Sequence, residues 1–481
     1  MRSTTYLTAA ACTAAVLAVT GLAPATAAPA APAAAPKPLT EDAPDFNGDG
    51  YADLAIAATT ATAGGVKRAG LVSFVYGSPT GLRFDQQQRI GRDTPGIPGE
   101  PGTNRWGNYS AHGDLNADGY DDLAIGANGK ITVLWGGASG ISGGTDLPAG
   151  AGTAQSPRIE GYTLAVGDIN GDGKDDLVLP AQVGDPYKAN WGIATRLGPF
   201  DRATGNPASA QYRDTEAKDG TAVYAVTVGD MTGDGIADIL AGGTGLSPAD
   251  PDKSVVLKGT RTGLVPGGTL EMDWSGEFGD INGDGYRDFV SPETDHGGVG
   301  VRGTGGFDVT YGGPDGVSKT VPARFYDQNT PGVPGVNEEY DRWGTDVALG
   351  DINQDGYADL VIGAPGESGT ESTTSRAGAI TVLHGSKTGL TTTGAKAWTQ
   401  NSAGVPSTSE TSDYFGRAVA LLDANKDGKP ELYVGGDGED GWVGRVWQLQ
   451  TGASGLTGTG ARSFTLGGGY GSAHFGAWFG K

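Results

Sequence analysis

Residues Asp351–Ala364 read DINQDGYADLVIGA. In the first nine, oxygen-bearing side chains stand at positions 1, 3, 5 and 9, and Gly stands at position 6. Calcium takes about 6–8 oxygen ligands, and alternate side chains of a tightly curled loop can converge on one such ion. The sixth-place Gly permits the sharp turn. A variable seventh residue is expected if that position offers its backbone carbonyl. The five residues after the loop are apolar or small, with the composition of a short buried strand.

The same nonapeptide occurs seven times, at starts 50 to 72 residues apart. The proposed ligands are Asp45, Asn47, Asp49, Tyr51 and Asp53 in the first copy, and Asp114, Asn116, Asp118, Tyr120 and Asp122 in the second. Asp168, Asn170, Asp172, Lys174 and Asp176 form the third, and Asp230, Thr232, Asp234, Ile236 and Asp238 the fourth. The fifth is Asp280, Asn282, Asp284, Tyr286 and Asp288, and the sixth Asp351, Asn353, Asp355, Tyr357 and Asp359. The last is Asp423, Asn425, Asp427, Lys429 and Glu431. Up to seven structural calcium ions follow, and Thr232 marks the fourth loop as the weakest. An EF-hand is excluded. Its twelfth-place Glu is replaced by Ile56, Ile125, Leu179, Ala241, Ser291, Ile362 and Val434, and strands rather than helices follow. Asx-turns without metal remain an alternative for any single copy; seven copies sharing a ninth-place acid favour the cation.

Charge supports this reading. The chain carries 56 acidic against 33 basic residues, a net −23, and the excess lies almost wholly at positions 1, 5 and 9 of the seven loops. Crowded carboxylates repel unless a cation is present. The acidity also argues against nucleic-acid binding. A single Cys excludes a disulfide framework. The 86 Gly in 481 residues are more than twice the usual share of about 7%; they show no three-residue period and disfavour helix.

Around each loop lies a longer unit. An aromatic-Gly pair precedes it, as in RWGNYSAHGD (Arg105–Asp114), RWGTDVALGD (Arg342–Asp351) and YFGRAVALLD (Tyr414–Asp423). An alternating strand and a Gly turn follow it, as in AGLVSFVYGSPTGL (Ala69–Leu82), KITVLWGGASGI (Lys130–Ile141) and AGAITVLHGSKTGL (Ala377–Leu390). Three or four strands per unit, seven times, predict an all-β, seven-bladed propeller. The chain ends in HFGAWFGK (His474–Lys481), an aromatic-Gly strand with no loop after it, while the first loop has no such strand before it. The C-terminal strand is therefore expected to complete the first blade and close the ring, removing an open edge.

The order F-G, D-x-N-x-D-G-x-x-D, then D-L-x-x-G-A-P resembles the FG-GAP (VCBS-like) repeat of integrin α-subunit propellers and secreted bacterial relatives. Phe415-Gly416 carries the beginning and Val361–Pro365 the ending. The resemblance covers about residues 45–481. It implies a propeller with structural calcium and a role in binding other molecules. The middle repeats depart from it at Tyr162-Thr163, Tyr224-Ala225 and Ser291-Pro292, so irregular blades are expected there.

Met1-Arg2, an apolar run from Tyr6 to Leu22 and Ala25-Thr26-Ala27 read as a secretory signal over 1–27, with Cys12 inside it. An Ala/Pro-rich spacer occupies 28–44, and the propeller 45–481. The mature chain is expected to be secreted and extracellular, with no membrane span. Enzyme signatures are thin. His112, His296, His384 and His474 belong to no recognisable nucleophile or metal motif, and Trp106 and Trp343 fit core better than sugar platforms. The expected function is a calcium-binding module for an extracellular protein or glycan. An extracellular polysaccharide hydrolase or lyase on a propeller scaffold is the alternative. The long connections Arg83–Asn104, Ala323–Asp341, Lys396–Asp413 and Ala181–Ala222 are the places to look for a binding site, with plain surface connections as the other reading.

Overall fold

A computed structural model describes Met1 and residues 43–480, apart from 104, 128, 149–162, 184–189, 248–249, 271–275, 294–301 and 369–374. The signal segment, Cys12, Tyr162 and His296 lie outside the described residues.

Seven antiparallel sheets follow one another, each with four strands side by side; the fourth adds a short strand, Asp250–Asp252, on its second. These are the seven blades. Their innermost strands are Phe475–Gly480, Tyr109–Gly113, Ala165–Gly167, Thr221–Gly229, Glu277–Gly279, Val347–Gly350 and Ala418–Leu422. Strands from six of the seven blades line a central cavity of about 700 Å³. The C-terminal strand pairs with Leu54–Ala58 of blade one, with Ile56 opposite Phe479. The ring is thus closed by the two ends of the propeller, as the unmatched aromatic-Gly strand predicts.

Burial is greatest on the second strands and falls toward the outermost, which explains the sequence pattern. The second strand of blade six, Asp359–Ala364, is buried at every residue because neighbouring blades cover both its faces. A strand covered on both sides needs a continuous apolar run, not an alternation. The outer strand of the same blade, Thr391–Trp398, is half-buried or exposed throughout and is correspondingly polar.

The aromatic-Gly motifs hold adjacent blades together. Trp106, Trp343, Phe415 and Phe475 are fully buried. Their backbone N–H groups donate to carbonyls before the third strand of the preceding blade: Trp106 to Ala69 at 3.1 Å, Trp343 to Thr304 at 3.0 Å, Phe415 to Ala377 at 3.0 Å and Phe475 to Val443 at 3.1 Å. The backbones approach so closely that a Cβ on Gly378 (φ +87°) would stand 2.2 Å from the Phe415 carbonyl oxygen. Only Gly fits there.

The middle blades use other devices. The inner strand of blade four carries a bulge between Val223 and Ala225, at the place where the motif departs. Its Val226 N–H is accepted by Thr163 Oγ1 of blade three at 2.8 Å. The segment Ala181–Ala222, expected as one long connection, instead builds strands Asn190–Leu197 and Ser209–Asp214 and a short helix, Thr215–Asp219, capped by Asp214. Arg83–Asn104 likewise contains an outer strand, Gln88–Ile90, and Ala323–Asp341 contains Arg324–Tyr326.

Candidate metal loops

Each nonapeptide joins the first strand of a blade to its second, so all seven loops lie on one rim of the ring. The connections from second to third strand, and from each blade to the next, lie on the opposite rim.

The loops share one hydrogen-bond pattern. The sixth-place Gly N–H donates to the first-place carboxylate in every copy, from 2.7 Å at Gly50–Asp45 to 3.1 Å at Gly285–Asp280. The seventh N–H donates to the fifth-place carboxylate, as at Tyr357–Asp355, 3.1 Å. Position 4 adopts left-handed backbone in all seven, with Ala117, Gln354 and Lys426 tolerated beside four glycines. The seventh side chain reaches the preceding loop: a Cβ on Gly48 would meet the Tyr120 ring at 2.6 Å, and one on Gly283 the Tyr357 ring at 2.8 Å. Lys426 closes the circle over the Tyr51 ring, 5.4 Å from its centroid.

The ninth-place acid is turned inward. Asp53, Asp122, Asp176, Asp238, Asp288 and Asp359 are fully buried, and Glu431 nearly so. One oxygen accepts the N–H of a Gly that begins the turn after the third strand: Gly77 to Asp53 at 2.8 Å, Gly136 to Asp122 at 2.8 Å and Gly385 to Asp359 at 3.0 Å. In five loops the other accepts the second-place N–H, as at Phe46–Asp53, 2.9 Å, and in the fourth it accepts the third-place N–H of Thr232 at 3.0 Å. These bonds fix the hairpin. Outside the loops, Glu338, Asp341 and Glu367 each bring one oxygen within 4.8 Å of the others, the only such acidic group among the described residues.

Burial, reinforced by the acids at positions 1 and 5, pushes Asp122 and Asp288 up to about 8, Asp53 and Asp176 to about 7 and Asp238 to about 6. Glu431 is pushed up to about 7 in the same way. A divalent ion in the loop favours the ionised form and reverses this tendency. The donor set suits calcium. It consists of oxygens alone, and Asp45 Oδ1 is buried without a hydrogen-bond partner.

The histidines and tryptophans of interest fall into place. His112 lies in the inner strand of blade two, with Nδ1 3.3 Å from Asp121. His384 Nδ1 stands 3.1 Å from Asp359, whose carboxylate raises its pKa. His474 Nδ1 is 2.9 Å from Asp437. Trp106 and Trp343 are core. The cluster of Glu338, Asp341 and Glu367 was not legible in the sequence, because its members come from two separate connections. Gln328 Nε2 donates to Glu367 at 2.8 Å, and burial with the Glu367 charge pushes Asp341 up to about 7. In blade seven the corresponding Glu439 likewise accepts from a Gln, Gln400 Nε2 at 2.6 Å, and has Arg445 3.3 Å away in addition.

Comparison with known proteins matches this architecture. The FG-GAP repeat profile matches residues 42–75, 343–383 and 415–448, and the FG-GAP-like repeat profile matches 114–179. Rat phosphatidylinositol-glycan-specific phospholipase D is 38% identical over 112 residues, 22% of this chain and 13% of that protein. Integrin alpha pat-2 of Caenorhabditis briggsae is 31% identical over 235 residues, 44% of this chain and 17% of that protein. The chain thus spans less than a fifth of the length of these curated relatives. Among solved structures, the Dos1 propeller aligns with 83% of this chain and 92% of its own at 11% identity, with a TM-score of 0.37.

Proposed function

As an FG-GAP repeat protein built on a closed seven-bladed propeller, this chain is, we propose, a secreted binding module for an extracellular protein or carbohydrate partner. The observation that carries the reading is the contrast between the two rims. On the loop rim the polar side chains are engaged in fixing hairpins. The exposed large apolar side chains fall mostly on the opposite rim, where Val336 is 59% exposed, Leu246 57%, Tyr340 44% and Trp442 39%, against Val265 at 38% on the loop-rim end of its strand. Exposed aromatics gathered on one face mark interaction surfaces.

Calcium belongs to the same proposal. The side chains of positions 1, 3, 5 and 9 and the backbone carbonyl of position 7 would hold it in each loop, and its charge would neutralise the packed carboxylates there. The signal segment over 1–27 would direct export. Among the described residues no helix is long and apolar enough to cross a membrane.

The test is retention of the mature chain on protein and glycan arrays, run beside turnover assays on polysaccharide and ester panels. Saturable retention without turnover is the expected result. Turnover of a polysaccharide would overturn the reading in favour of a hydrolase or lyase.

A further inference from the structure

On the connection rim, between blades six and seven, a pocket of about 210 Å³ opens to solvent. Its walls carry three guanidinium groups, Arg342, Arg376 and Arg417, and three aromatic rings, Tyr340, Tyr414 and Trp442. The Tyr414 and Trp442 rings stand 5.5 Å apart, and His474 stacks behind Trp442 at 4.8 Å. One carboxylate, Asp437, also lines the pocket, and it is engaged by His474 at 2.9 Å. None of the three arginines has a carboxylate partner among the described residues. In a chain of net charge −23, three such cations in one small concavity stand out against the overall field.

The backbone presents these side chains outward. Tyr340, Arg342, Arg376, Tyr414 and Trp442 all have left-handed backbone, with φ from +54° to +74°. That conformation is uncommon for residues other than Gly and recurs where chains clamp ligands. It belongs to the repeat, since Arg68 (φ +59°) and Arg105 (φ +53°) share it at the junction of blades one and two. What distinguishes this pocket is the choice of side chains.

We propose that the pocket binds the negatively charged sugar residues of an acidic polysaccharide. The arginines match a carboxylate or sulfate group bidentately. The aromatic faces offer the apolar platform on which a sugar ring lies, and the cavity has room for one such ring. This deepens the reading of the propeller as a binding module and rests on it.

The experiment titrates the full chain by calorimetry with a short oligogalacturonate, a heparin-derived oligosaccharide, a neutral oligosaccharide of the same length and a poly-glutamate peptide. One or both acidic sugars should bind saturably, more weakly as salt rises, with the neutral sugar weak or silent. The double variant Arg376→Gln/Arg417→Gln should weaken that binding by about tenfold or more at an unchanged melting temperature. Arg68→Gln, on a distant junction, should leave it unaltered. Binding of one acidic sugar and not the other identifies carboxylate or sulfate as the recognised group. Undiminished affinity in the double variant, absence of binding to both acidic sugars, or an equal or higher affinity for poly-glutamate would overturn the assignment. Should one of these results occur while the chain is still retained on the protein and glycan arrays, the pocket falls and the binding-module reading stands.

Discussion

Blades six and four solve the same folding problem with different parts. In blade six, Trp343 is fully buried, its indole N–H donates to Thr381 at 3.0 Å, and its backbone N–H bonds the preceding blade. In blade four the aromatic-Gly pair is replaced by Tyr224-Ala225, the strand bulges, and Thr163 Oγ1 supplies the inter-blade bond. Yet the ninth-place acid ties the hairpin in both, through the N–H of Thr232 at the third place in blade four and of Ile352 at the second in blade six. Asp238 and Asp359 are fully buried, and each accepts a turn Gly N–H at 3.0 Å. The hairpin tie is therefore the indispensable part of the repeat, and the aromatic stitch is replaceable.

That contrast can be broken first at the aromatics. Trp343→Ala should cost about 4 kcal/mol in denaturant unfolding, by loss of buried area and creation of a cavity. Tyr224→Ala, at a half-buried ring packed edge-on to Trp191, should cost only about 1 kcal/mol. Comparable losses would mean that blade four relies on its aromatic after all.

The acids should behave in the opposite way. Asp238→Ala and Asp359→Ala should each cost about 3 kcal/mol, since each change strands two buried N–H groups, those of Thr232 and Gly259 or of Ile352 and Gly385. A tolerant blade four would show that the tie is dispensable where the motif degenerates. Thr163→Val keeps the shape and removes the hydroxyl, and a loss of about 1 kcal/mol is expected from the unpaired Val226 N–H. The smallest effect is expected from Thr232→Asn, which restores the usual third-place donor. It should raise the calcium-dependent gain in melting temperature slightly and leave stability in chelator unaltered.

Much of this was legible in the sequence because the information is local and repeated seven times. The nonapeptide announces a hairpin wherever it occurs, and the unmatched Phe475-Gly476 strand announces closure with the first blade. The ninth-place acid reads from its spacing as a ligand, and its role in tying the hairpin is what the spacing does not reveal. Its bonds to Gly77, Gly136 or Gly385 lie across the blade, where no local pattern reports them. Position 4 was passed over because Ala117, Gln354 and Lys426 hide a left-handed backbone that glycine elsewhere makes visible. The Glu338, Asp341 and Glu367 cluster and the arginine-lined pocket arise from connections of different blades, whose meeting depends on the ring being built first.

The most direct measurement is native mass spectrometry of the mature chain across a calcium titration, with melting followed in parallel. Binding of up to seven ions is expected, the last to a loop abolished by Asp234→Asn, with a melting temperature that rises as the loops fill because the ions bind the folded loops and not the unfolded chain. No bound calcium, together with identical melting in chelator and in excess calcium, would contradict it and leave the loops as metal-free Asx-turns.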